Sequence, residues 1–136
     1  IFVSESKKDV FRGMHFQNAP KEQGKIVYCS HGRVLDFALD LRTESKTWGR
    51  LYRQELCQND GCALLVPRGF AHGFLSLEEH SGLYYLCDEV YSQKHEDGYR
   101  CEEIWLRDFV KADVTLSARD RAFCPVPREM SLEVLF

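Results

Sequence analysis

The stretch VFRGMHFQ, residues 10–17, sets Arg12 and His15 among Val10, Phe11, Met14 and Phe16. A purely apolar strand needs neither of them. Gly13 would weaken such a strand, because it has no side chain to pack and loses extra backbone entropy on folding. Imidazole titrates at about pH 6.5, so His15 can be neutral near physiological pH and accept a proton. A lone histidine on an apolar strand reads by default as a satisfied core residue; the company of Arg12, Lys25 and His72 tips the reading toward chemistry. His72 stands in the spacing G-x(5)-P-x-G-x(2)-H-x(3)-S from Gly61 to Ser76, where Pro67 and Gly69 turn the chain tightly into a strand that carries the ring. Tyr85 offers a phenol, neutral at pH 7 with a proton to give, although an aromatic strand is by default core. Its neighbour Tyr84 points to the other strand face by alternation, so one of the two can serve a site. Asp120 follows Ser117 by three residues and reads equally well as the acid of a helix capping box or as a carboxylate partner for a histidine.

These side chains must be held by something rigid, and the composition bounds what that is. A chain of 136 residues, 44% hydrophobic, suffices for one domain with a core and is too short for two. Nine Phe, six Tyr and two Trp suit the pleated, half-buried surface of strands. A net charge of -3 without charged runs gives no argument for nucleic acid or an anionic membrane as partner. No apolar stretch approaches the roughly 20 residues that span a bilayer. Six cysteines lie scattered without a C-x-x-C pair, which suits reduced thiols in a cytoplasmic protein. The chain begins at Ile1 without methionine or signal-peptide pattern, and a missing natural N-terminus is the expectation. Leu132 to Phe136 match the front of an engineered protease-cleavage linker, leaving residues 1–131 as a single domain.

Short alternating runs separated by turn chemistry predict an all-β fold. KIVYCS ends at His31-Gly32 and RVLDFALDL follows at once, so these two runs read as a hairpin. RLYRQELC, CALLV after the NDG turn, HGFLSL and GLYYLCDEVY supply further strands. LSARDRA is the one good helix start, with Ser117 as its cap. A β-barrel or sandwich followed by a short helical tail is the expected architecture.

The spacing from Gly61 to Ser76 resembles the second motif of the cupin superfamily, which ends in Asn where this chain has Ser76. The superfamily's first motif carries an H-x-H pair; here it is matched by His15, with Gln17 in the second histidine position. His15 and His72 make two ligands, fewer than the three usual at a catalytic zinc site. The resemblance therefore implies a cupin-type β-barrel, or jelly roll, working without metal or cofactor by acid-base chemistry.

RGMHFQ, QGK, GRVLDFALDLR, PRGFAHGF, LYYLCDEVYS and LSARDRA together resemble, in order and rough spacing, the dTDP-4-dehydrorhamnose 3,5-epimerase family from about residue 6 to residue 125. That family inverts stereocentres beside the 4-keto group of a nucleotide-linked 4-keto-6-deoxy sugar. Such a reaction needs a base, an acid opposite it, and donors at the developing enolate oxygen. The resemblance implies His15 as base, Asp120 as the carboxylate that fixes its tautomer, and Tyr85 as acid, with Tyr91 as second choice. It implies Lys25 at the keto oxygen, and His72 and Arg12 around the keto group and the diphosphate. Arginine suits a diphosphate because its planar fork donates two hydrogen bonds at once. Gln17 joins the substrate-binding set, and Asp36 is expected to orient a neighbouring site residue.

The implied substrate is a nucleotide-diphospho-sugar, dTDP ahead of GDP, and the implied assembly is a homodimer. Family members carry several dozen further residues before this point, including a segment that crosses to the partner subunit. A single-site 3-epimerase is the close alternative; a metal-dependent cupin oxygenase and a non-catalytic sugar-binding cupin are the distant ones. One geometric expectation is sharp. Regular alternation would put Arg12 and His15 on opposite faces, so a bulge at Gly13 is needed to bring both to one pocket.

Overall fold

Alternation within RVLDFALD decides the layering. In the computed structural model, which describes residues 1–101 and 113–130 and the backbone of 133–135, this run is a central strand buried on both faces. Leu35, Phe37 and Leu39 pack with Phe11, Met14, Leu51, Leu75, Val126 and Met130. Val34 and Ala38 belong to a second cluster with Val27, Leu56, Val66, Phe74 and Leu83. One strand thus divides two cores.

The elements follow as β1 (Phe2–Ser6), β2 (Phe11–Gln17), β3 (Lys25–His31), β4 (Arg33–Asp40), β5 (Arg50–Cys57), β6 (Leu64–Val66), β7 (Phe70–Ser76), β8 (Ser81–Cys87), β9 (Glu96–Gly98), α1 (Ala118–Ala122) and β10 (Glu133–Leu135). They form a four-stranded sheet in the order β1-β8-β3-β6 and a six-stranded sheet in the order β10-β5-β4-β7-β2-β9. Pairing is antiparallel except for β10, which runs parallel to β5. The second core lies between the sheets, and the first is covered by the C-terminal segment through Val126 and Met130. This is the cupin-type jelly roll that the motif spacing implies, with the short helical tail at α1.

Two details depart from the sequence reading. The expected hairpin between KIVYCS and RVLDFALDL does not form: β3 pairs with β8 and β6, whereas β4 pairs with β5 and β7. Gly32 alone separates them, at φ +73, which is too short for a hairpin loop and serves instead as a corner between sheets. The second departure is β9, whose polar sequence gives no strand signal; it pairs with His15–Gln17 at the edge of β2. Of the linker-like end, Glu133–Leu135 pair with Arg50–Tyr52, while Leu132 and Phe136 lie outside the described residues.

Candidate active site

The site begins with a miscount between two strands. Arg12 lies opposite Phe74 and His15 lies opposite His72, so β2 spends one residue more than β7 over the same span. That extra residue is a bulge, and it returns Arg12 and His15 to the same face of the sheet. Gly13 takes φ +124 there, and a Cβ on it would meet the Gly73 Cα at 2.6 Å and the His72 carbonyl oxygen at 2.7 Å. Glycine is the residue that fits. Since Phe74 belongs to the core between the sheets, Arg12 and His15 face that interior, as the sequence reading requires.

His15 pairs with Asp120. Its Nε2 lies 2.7 Å from Asp120 Oδ1, and the Gly13 amide donates to Oδ2 at 3.0 Å. Asp120 is 2% exposed and His15 is 22% exposed. Burial pushes the Asp120 carboxyl up, but the hydrogen bonds from His15 and Gly13 and the nearby cations outweigh it and hold the carboxyl below its ordinary range. An ionised carboxylate only accepts, so the shorter contact, to Asp120, favours the proton on Nε2 and leaves the Nδ1 lone pair of a neutral ring for chemistry. Arg119 Nη2, 3.0 Å from the same Nε2, then lies against it as a neighbouring charge and not as a hydrogen-bond donor. Nδ1 has no hydrogen-bond partner among the described residues. The capping-box reading is met in part: Ser117 Oγ accepts from the Asp120 amide at 3.0 Å. The Asp120 carboxylate turns to the histidine instead of back to its own helix.

A second imidazole–carboxylate pair lies beside the first. His72 Nε2 is 2.8 and 3.0 Å from the two oxygens of Asp36, and both residues are buried. Asp36 thus holds the His72 ring through both of its oxygens. The facing sheet supplies the rest. Tyr85 on β8 meets the His72 ring edge-on at 5.9 Å, and its hydroxyl is hydrogen-bonded to Ser4 Oγ at 3.1 Å. Burial pushes the Tyr85 phenol well above the usual tyrosine range, against the smaller opposing pull of Ser4 and Arg12. Tyr84 stacks on Tyr28 with centroids 5.1 Å apart on the outer face, in line with alternation.

Lys25 pairs in register with Cys87, two residues beyond Tyr85 on the same face. Burial lowers its ammonium below the ordinary lysine range, while Cys87, Asp36 and Glu96 pull the other way. An exposed lysine at a strand start would carry no such shift.

Gln17 and Tyr91 sit differently from the rest. The Gln17 amide donates to the Lys21 and Val90 carbonyl oxygens at 2.7 and 3.3 Å and accepts from the Ser92 amide at 2.8 Å. Its donors and its oxygen hold two loops, a structural use the sequence reading did not foresee. Tyr91 is half exposed and donates to Glu96 at 2.7 Å. Glu96 in turn pairs with Arg119 at 3.2 Å, and Arg119 reaches Asp120 Oδ1 at 3.3 Å. Tyr91 therefore sits at the rim, joined to the dyad through an ionic chain.

Four site residues were missed: Ser4, Ser6, Glu96 and Arg119. Ser6 Oγ accepts from Arg12 Nε at 2.9 Å, so β1 holds both Tyr85 and Arg12 through serines at alternate positions. The alternation of FVSES was the available signal, and serine is too common on strands to carry it. Among the described residues, no group of three or more His, Cys, Asp and Glu side chains is arranged to hold a metal ion. His15 and His72 each turn Nε2 to a different carboxylate, Asp120 and Asp36.

Comparison with known proteins bears on the family and the fold. The family model for dTDP-4-dehydrorhamnose 3,5-epimerase matches residues 2–127. The chain is 43% identical over 93 residues to dTDP-4-dehydrorhamnose 3,5-epimerase of Salmonella typhimurium, covering 68% of this chain and 51% of that protein. It is 34% identical over 128 residues to the Methanothermobacter thermautotrophicus protein of that name, covering 90% and 68%. Against the Salmonella protein and others like it, the chain spans about half the relative's length. The crystal structure of dTDP-4-dehydrorhamnose 3,5-epimerase from Elizabethkingia anophelis superposes with a TM-score of 0.86 at 34% identity, covering 96% of this chain and 73% of that one. The epimerase of Legionella pneumophila, solved with dTDP-4-keto-L-rhamnose, gives 0.84 at 31% identity, covering 95% and 71%. With a family match across nearly its whole length and a fold shared with these structures, the chain belongs to the dTDP-4-dehydrorhamnose 3,5-epimerase family.

Proposed function

We propose that this chain epimerises a dTDP-linked 4-keto-6-deoxy sugar at C3, C5 or both, in the cytoplasm and without a metal or cofactor. The observation that carries the reading is the division of labour between sheets: a histidine with a free lone pair on β2, and a phenol on β8 of the facing sheet. Inverting a carbon needs a proton taken from one face and returned on the other. His15 Nδ1 removes the proton α to the C4 ketone, and the C–H electrons move onto the ketone oxygen as an enolate. The Lys25 ammonium and His72, held by Asp36, stabilise that oxygen. Tyr85 then gives its hydroxyl proton to the opposite face of the carbon. Arg12, braced by Ser6, takes the diphosphate as a charged fork.

Relatives support the substrate. The Legionella structure holds dTDP-4-keto-L-rhamnose, and that of a 3'-monoepimerase from Streptomyces bikiniensis holds dTDP-quinovose. A double mutant of the latter replaces a histidine and a tyrosine as far apart in its chain as His15 and Tyr85 are here. The same relative makes the single-site 3-epimerase a live second reading, since one base can serve either carbon.

The working assembly is a homodimer. On the outer face of the four-stranded sheet, register aligns Val3, Tyr84 and Tyr28 in one row and Leu86, Ile26 and Leu65 in the next. Val3 is 61%, Ile26 44%, Leu65 68% and Leu86 41% exposed. A contiguous apolar face of this kind marks an interaction surface. The deciding experiment is solvent-deuterium incorporation with dTDP- and GDP-linked 4-keto-6-deoxyglucose. Label at C3 and C5 of the dTDP sugar is expected, label at C3 alone selects the monoepimerase, and no label with either nucleotide sinks the reading.

A further inference from the structure

Each turnover leaves the two proton carriers in the wrong state. Tyr85 has become a phenolate and His15 an imidazolium, and neither works again until both are reset. The burial that raises the Tyr85 phenol makes its phenolate costly, so the refill must come through a group touching that oxygen. Among the described residues, the hydrogen-bond partner of the Tyr85 hydroxyl is Ser4 Oγ, at 3.1 Å. Ser4 lies on β1, an edge strand that pairs with β8 alone in its sheet; it is itself partly exposed, and Phe2, in register with Tyr85, is 50% exposed. A hydroxyl both donates and accepts, so it can stand between water and a phenolate.

We propose that Ser4 is the proton relay that recharges Tyr85, a step that rests on the epimerase reading with Tyr85 as acid. The Ser4 O–H bond breaks as its proton passes to the Tyr85 oxygen, and Ser4 Oγ takes a proton from solvent or a buffer acid. His15 releases its extra proton to solvent, so no net proton is gained or lost per turnover. Ser6, two residues on, has a different task, because its hydroxyl is committed to Arg12.

The test compares wild type with Ser4→Ala and Ser4→Thr by rapid quench with dTDP-4-keto-6-deoxyglucose in dilute buffer. In Ser4→Ala the first turnover should match wild type and the later ones should slow about tenfold, part of the roughly 10²–10⁴ that a positioned proton donor supplies. Added imidazole buffer should restore the rate, and Ser4→Thr, which keeps the hydroxyl, should stay near wild type. An unchanged steady state in Ser4→Ala overturns the relay. So does a first turnover as slow as the rest and indifferent to buffer, which would make Ser4 a prop for the ring. Wild type that exchanges no label removes the epimerase reading and the relay with it, whereas active wild type with an unaffected Ser4→Ala removes the relay alone.

Discussion

In the proposed reaction His15 and Asp120 divide one task between two side chains: the imidazole accepts the proton, and the carboxylate 2.7 Å away decides which nitrogen does so. His15→Ala should lower kcat by at least about 10³-fold with little change in ligand affinity, read by steady-state kinetics beside calorimetry with dTDP-sugar. Asp120→Asn should cost about 10²–10⁴-fold in kcat, because an amide no longer fixes the tautomer. The carboxylate also ties pH to stability. Asp120 titrates below its ordinary 3.8 when folded, so its stabilisation is complete above that value and is lost as pH falls through the folded one. Melting temperature should accordingly drop more steeply below about pH 4 in wild type than in Asp120→Asn. Lys25 runs the other way, since its ammonium is disfavoured by burial in the fold. Lys25→Met should lose about 10²–10³-fold in kcat, as one preorganised donor is removed. Its melting temperature should hold or rise, a trade of stability for function.

At the scale of elements, the bulge in β2 and the cap of α1 do the positioning. Gly13→Ala would force a Cβ to within 2.6 Å of the Gly73 backbone at a φ that L-residues avoid. It should destabilise the fold by more than about 2 kcal/mol in urea unfolding. Ser117→Ala should cost about 1 kcal/mol and lower kcat with it, because the same cap aims Asp120. Much of this was legible in the sequence. A glycine between Arg12 and His15 told of a bulge because only a bulge puts two residues of odd spacing on one face. The corner at Gly32 was misread because adjacent alternating runs look the same whether they pair or part. Ser4 and Arg119 were illegible for another reason: their partners lie 81 and 104 residues away, and their roles exist only once the sheets are apposed.

At the scale of the whole molecule, the described residues form two apposed sheets, one of them with an apolar outer face. If two copies meet on that face, Ile26→Glu should shift sedimentation from dimer to monomer while leaving the fold's circular dichroism intact, since Ile26 points away from both cores. The fold class and the order of the site residues could be read along the chain, because cupin spacing is local; the meeting of Tyr85 with His72 could not, because it is a property of two layers. The helix that carries Asp120 has five residues. Alone in water so short a helix is hardly populated. It is kept in place by the bonds its own carboxylate makes to His15 and to the Gly13 amide, and by the chain beyond it, whose Val126 and Met130 pack into the first core. The pair proposed as the catalytic dyad is thus also a latch, and the two uses should fail together. Mild denaturant should release this tail at a free energy well below that of global unfolding, so inactivation should run ahead of any loss of sheet, and a bound sugar that engages His15 should delay it.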